Sequence, residues 1–202
     1  MTEPSYRQQI RQYIEREAKP REKFGHQPRL YALAKEIGAG HTYDDDIVFA
    51  AVWLHDLGVF TGHRPEDPAV LAQWNHLPYT MERAREILRA NGFPEAKIPA
   101  VVEAIRTHQP AFEPETIEGT IIRDADILEQ LGAIAVLRTV CKVGRDTRFI
   151  LFTDTVNFLR QSLKTLPDQI RLENTKKLAM PKIDALRAFL EAVDAESYDA
   201  LF

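Results

Sequence analysis

The chain has 202 residues, 45% of them hydrophobic, and 26 Lys and Arg against 30 Asp and Glu leave a formal net charge of -4. That allows one large soluble domain or, less easily, two small ones, with a substantial core, and it supplies no electrostatic footprint for a nucleic-acid polymer or an anionic membrane. The single cysteine, Cys141, excludes an internal disulfide framework and any multi-thiolate zinc site and fits a reducing cytoplasm.

Met1-Thr2-Glu3-Pro4 lacks both the basic start and the apolar core of a signal peptide, and no window approaches a membrane span. A soluble cytoplasmic protein without a membrane partner is expected. Tyr6 to Ala18 carries Ile10, Tyr13 and Ile14 at helical spacing until Pro20. His26 to Ile37 follows with Leu30, Leu33, Ala34 and Ile37 on one stripe, ended by Gly38 and Gly40. Asp44-Asp45-Asp46 then provides an N-cap and first-turn carboxylates for a helix over Ile47 to His55.

Residues 58 to 79 hold glycines, prolines and scattered charges and read as a binding loop or lid, with a short helix near Ala69 to Trp74. Thr80 caps a helix over Glu82 to Ala90, and Ile98 to His108 forms the next before Pro110. After a connection over Glu113 to Gly119, Ile121, Ile122, Ala125, Leu128 and Leu131 define a helix that breaks or bends at Gly132. Ala133 to Val143, where Cys141 reads as a small apolar helix residue, and Ile150 to Leu163 are separated by a turn at Gly144-Arg145-Asp146. Two last helices are expected around Pro167 to Leu178 and Lys182 to Ala192. No stretch alternates as a strand and no linker divides the chain, so an all-α single-domain helical bundle over 1-202 is expected.

The run Ala50-Ala51-Val52-Trp53-Leu54 is apolar on every side of a helix, which implies burial all round, yet it ends in His55-Asp56. A buried segment ends so only where something pairs with those groups. A metal ion suits imidazole and carboxylate together, and two donors are too few for it. His26 opens the preceding helix, and short connections favour antiparallel neighbours, so it can meet His55. Further carboxylates lie in Arg123-Asp124-Ala125-Asp126, where two acids two residues apart face nearly opposite ways, so no more than one of them is expected as a direct ligand.

Taken in order, His26, His55-Asp56 after an apolar run, and Ala125-Asp126-Ile127 resemble the signature of the HD-domain superfamily of metal-dependent phosphohydrolases. Glu118 to Arg138 looks like a bacterial branch of it, and the resemblance covers about residues 20 to 195. It implies a helical HD-type bundle with a core over about 20-140 and C-terminal helices over about 145-195 packed on it. It also implies His26, His55, Asp56 and Asp126 as metal ligands, with His55, Asp56 and Asp126 carrying the catalysis. Some members hold a second metal with extra histidines between the His-Asp and the last aspartate, which points to His76 and His108. The cofactor implied is one or two divalent ions, Mn, Fe, Co or Ni, with Zn or Mg as alternatives. The substrate implied is a phosphomonoester or phosphoanhydride, a nucleotide being the leading choice.

Asp124 is expected to orient a ligand histidine, which needs an acceptor for its other N–H. Arg29, one turn beyond His26, is the first candidate for binding substrate phosphate, ahead of Arg138, Lys142 and Arg145. His63 reads as an exposed loop residue and His41 as a turn residue. A non-catalytic metal- or nucleotide-binding module stays open as a reading, as does a di-iron oxygenase of the same superfamily. No general base and no oligomeric state is assigned.

Overall fold

A computed structural model describes residues 5-146, 148-198 and 200-201; Met1 to Pro4, read above as no signal peptide, lie outside them. The described residues are all helical apart from turns and two isolated bridges, Thr61 with Arg64 and Asp146 with Phe149. The helices are α1 (Tyr6–Glu17), α2 (His26–Gly38), α3 (Asp45–Leu54), α4 (Pro68–Ala72), α5 (His76–Ala90), α6 (Ile98–Thr107), α7 (Ile117–Glu129), α8 (Gly132–Val140), α9 (Phe152–Thr165) and α10 (Glu173–Glu196). None of them is long and apolar enough to cross a membrane. They gather into two compact units, Met1–Arg123 and Asp124–Phe202.

In the first unit α3 is the axis. Every residue from Ile47 to Leu54 is buried, and α1, α2, α5 and α6 all touch the helix. A helix with no polar face has to be wrapped in this way, and each large apolar side chain so buried contributes about 1.5–3 kcal/mol. Ile10 and Ile14 of α1, and Leu30, Ala34 and Ile37 of α2, are the stripes that line up with it.

The polar N-terminal end of α3 is held by a separate network. Asp44 accepts from the Asp46 N–H at 3.0 Å, its own N–H donates to Glu118 at 2.8 Å, and Lys97 reaches both Asp44 and Asp46 at 2.8 Å. Arg7 pairs with Asp45 at 2.8 Å and with Asp46 at 2.5 Å. The Tyr6 and Tyr31 hydroxyls donate to Asp46 and Asp45. Burial opposes the ionisation of Asp46, but its bonds from Lys97, Tyr6 and Arg7 outweigh that and hold its carboxyl below the usual carboxylate range.

Two expected boundaries move. Helix α5 starts at His76, capped by the Asn75 side chain, which accepts from the Leu77 N–H at 3.1 Å. Pro78 is tolerated there because the first turn has no intrahelical acceptors for its N–H groups to lose. Thr80, expected as a cap, lies buried inside the helix. In the second unit the two expected last helices are one, α10, which runs through Pro181. Its buried stripe of Thr175, Ala179, Ile183, Leu186 and Leu190 is continuous across that proline, which faces solvent. Packing of that face outweighs the one hydrogen bond that the proline removes.

Helices α8, α9 and α10 pack on one another. Gly132 starts α8 with φ +79, and a Cβ there would come within 3.1 Å of Lys182. Cys141, expected as a small apolar helix residue, is exposed at the C-cap of α8.

Candidate metal centre

Helix α3 ends between the two residues of its polar pair. His55 keeps helical backbone angles, and its N–H still bonds the Ala51 carbonyl at 2.9 Å. Asp56 leaves the helix (φ -99, ψ 10) and begins a short 3-10 turn over Leu57–Val59. This local unwinding lets two residues that would point about 100° apart on a regular helix share one neighbourhood. His26, the first residue of α2, meets them there.

The Nε2 atoms of His26 and His55 lie 3.2 Å apart, and Asp56 Oδ2 lies 3.7 Å from the first and 3.6 Å from the second. A divalent ion bound at about 2.0–2.2 Å sets neighbouring donors about 3.0–3.5 Å apart, so this nitrogen and oxygen set fits one. Asp56 belongs also to a second group with His76 and His108; in each group the donor atoms lie within 4.8 Å of one another. The four rings are contiguous. Centroids are 5.2 Å apart for His26 and His55, 4.9 Å for His55 and His108, and 6.1 Å for His76 and His108.

Two of the rings have their proton placed by the backbone. Nδ1 of His55 donates to the Val52 carbonyl at 2.9 Å, and Nδ1 of His108 donates to the Ile105 carbonyl at 2.6 Å. A carbonyl only accepts, so each Nδ1 carries a proton, and in the neutral ring Nε2 keeps its lone pair. Each acceptor is three residues before its histidine, at the C-terminal end of a helix whose last carbonyls have no intrahelical donor. Sequence reading sought this orienting acceptor among side chains and overlooked the carbonyls, whose only signal is a histidine ending a helix.

Burial opposes the ionisation of Asp56. The positive charge that the surrounding histidines carry when protonated, His55 first, then His26, His108 and His76, outweighs it and holds the carboxyl well below the usual carboxylate range. The site therefore has an anionic centre ringed by four histidines.

The other predicted residues fall as follows. Asp126 is half-buried on α7 in the second unit, where Gln130 Nε2 donates to its Oδ2 at 3.1 Å; it is a member of neither donor group. Asp124, expected to orient a ligand, accepts instead from the backbone N–H groups of Arg171 at 3.1 Å and Leu172 at 2.9 Å, just ahead of α10. The orphan N–H groups at a helix start are strong donors for a buried carboxylate. Arg29 is half-buried and folds back toward Gly25, where a Cβ would lie 2.9 Å from its guanidinium. Arg138 pairs with Glu129 at 3.1 Å, and Lys142 lies 5.3 Å above the Phe149 ring.

His63 corrects its expectation. Its side chain is 9% exposed, with Nδ1 2.8 Å from the Tyr79 hydroxyl and Nε2 3.2 Å from Glu17. Partners 16 and 46 residues away convert a loop histidine into a clasp. His41 is an exposed turn residue, as expected.

Solved structures share the fold over nearly the whole chain. YpgQ of Bacillus subtilis, solved in complex with ADP, is similar at 20% identity with a TM-score of 0.71, over 96% of each chain. The Lin1889 protein of Listeria innocua is 20% identical with a TM-score of 0.71, over 98% of this chain and 97% of that one. An HD-superfamily hydrolase of Bacillus thuringiensis is 20% identical with a TM-score of 0.67, over 96% of this chain and 97% of that one. Curated proteins offer no match. The HD-domain model matches residues 24–131, which contain His26, His55, Asp56, His76, His108 and Asp126 in one span, and the chain belongs to the HD-domain family.

Proposed function

We propose that this chain is a metal-dependent phosphohydrolase that acts on a phosphomonoester or phosphoanhydride, with a nucleotide as the leading substrate class. The observation that carries the reading is Asp56 shared by two donor groups, His26-His55-Asp56 and Asp56-His76-His108. The ADP complex of YpgQ supports a nucleotide ligand.

His26, His55 and Asp56 hold one divalent ion in this reading, and Asp56, His76 and His108 hold a second. Such an ion lowers the pKa of a water toward about 7 and polarises a phosphoryl oxygen. The mixed nitrogen and oxygen donors favour Mn, Fe, Co, Ni or Zn over Mg. The Val52 and Ile105 carbonyls keep the His55 and His108 lone pairs on Nε2. Asp56 stays ionised, which leaves a carboxylate to offset cationic charge at the centre of the site. Arg29, one turn along α2 from His26, offsets the negative charge of the phosphate. The family signature adds Asp126 as a ligand, and metal content of Asp126→Asn tests that assignment.

The deciding experiment is a screen of purified protein with several divalent metals against nucleotides and small phosphoesters, with phosphate and pyrophosphate release measured separately. Metal-dependent release of either is expected and identifies the scissile bond. Binding of a nucleotide without turnover under every metal supports the non-catalytic module instead. The gathering of His76 and His108 favours one further reading, a di-iron oxygenase. Iron-dependent oxygen uptake abolished by His76→Ala establishes that chemistry in place of hydrolysis.

A further inference from the structure

We infer that Gly58 is a positioning residue that sets the second donor group against the first. The inference rests on the two-ion reading above. Gly58 lies two residues beyond Asp56 in the Leu57–Val59 turn, and three contacts seat it on the segment that opens α5. Its N–H donates to Thr80 Oγ1 at 3.1 Å, and its carbonyl accepts from Trp74 Nε1 at 2.9 Å. Its Cα is so close to α5 that a Cβ would lie 2.8 Å from Thr80 Oγ1, 2.9 Å from His76 Cβ and 3.0 Å from the His76 carbonyl oxygen.

Two of those three clashes are with His76 itself, at its Cβ and its backbone, which cannot rotate away. A side chain at position 58 therefore moves His76 away from Asp56. The backbone of Gly58 lies outside the left-handed region, so an alanine meets no dihedral strain there and acts through the contact alone. His26 and His55 lie on the other side of Asp56 in sequence and on α2 and the end of α3, and none of the three clashes involves them. Gly58 thus governs the Asp56-His76-His108 group and leaves His26-His55-Asp56 in place.

The test is titration of the full-length, chelator-treated protein with Co2+, read by visible absorption and by metal content after dialysis. Wild type is expected to take two ions. Gly58→Ala is expected to keep one and to bind the other about 10–100-fold more weakly, the range for residues that support metal ligands from behind. His76→Ala is expected to remove the same spectral component, and the double variant to add nothing to it. Gly58→Ala that keeps both affinities, or loses both ions together, overturns the inference. If Gly58→Ala loses its helical circular dichroism, Thr80→Val carries the test. It removes the acceptor of the Gly58 N–H at nearly constant shape, and an about two- to tenfold loss confined to the weaker ion is expected; no change overturns the inference. Wild type that binds a single ion overturns the two-ion reading itself, a failure recognised before any variant is made.

Discussion

The two ends of α3 both gather carboxylates, and they solve the problem of charge differently. At the N-terminal end Asp44, Asp45 and Asp46 meet Arg7, Lys97 and two tyrosine hydroxyls, each a donor. At the C-terminal end Asp56 meets four histidines, of which His55 and His108 in their neutral form present a lone pair at Nε2. Both environments hold a carboxyl below its ordinary range. The first is complete with protein groups alone, as a structural brace must be. The second is a carboxylate ringed by imidazoles whose donor atoms have the spacing to hold a divalent ion.

The largest effects are expected at Asp56 and His55. Asp56→Ala is expected to abolish metal binding and His55→Ala to remove the ion of the first group, each reducing phosphohydrolase activity to background while circular dichroism stays helical; activity that survives places the chemistry elsewhere. His76→Ala or His108→Ala should be less severe, with one of two ions lost and turnover reduced about 100-fold, a few kcal/mol of lost charge stabilisation. Metal content measured beside initial rates separates the two classes.

At the other end the effect moves from activity to stability. Asp46→Asn is expected to cost about 1–3 kcal/mol in denaturant unfolding through its charge-assisted bonds and to leave metal content unchanged. Because the folded pKa of Asp46 is depressed, its contribution is fully present above the unfolded value of about 3.9 and is lost as pH falls through the folded value. The gap between wild type and Asp46→Asn should therefore be constant near neutrality and close below about pH 4. An equal gap at pH 7 and pH 3 contradicts the assignment. Tyr31→Phe, which removes a hydroxyl donated to Asp45 at 2.8 Å, should be the mildest, about 0.5–1.5 kcal/mol.

Much of the first donor group was readable in advance. An all-apolar run that ends in His55-Asp56 demanded a partner, and His26 stood at the start of the preceding helix. The second group was readable only as an order of histidines. Asn75-His76-Leu77-Pro78 reads as the tail of a loop because a proline normally breaks a helix, whereas Pro78 occupies a first turn that has no bonds to break. His63 was misplaced for a related reason, since neither Glu17 nor Tyr79 stands near it in sequence. The donors that Asp124 meets, the N–H groups of Arg171 and Leu172, stand 47 and 48 residues away and leave no local signal.

That α3 is buried on all sides and that its last polar pair needs a partner is legible in the sequence, because hydrophobic periodicity and the cost of burying charge are local and additive. Which histidines share Asp56, which ring nitrogens meet carbonyls and what crowds residue 58 come from the fold alone. Those depend on separations of about 3 Å between groups from different helices, such as His26 and His55 at 3.2 Å, and packing rather than sequence spacing sets distances of that size.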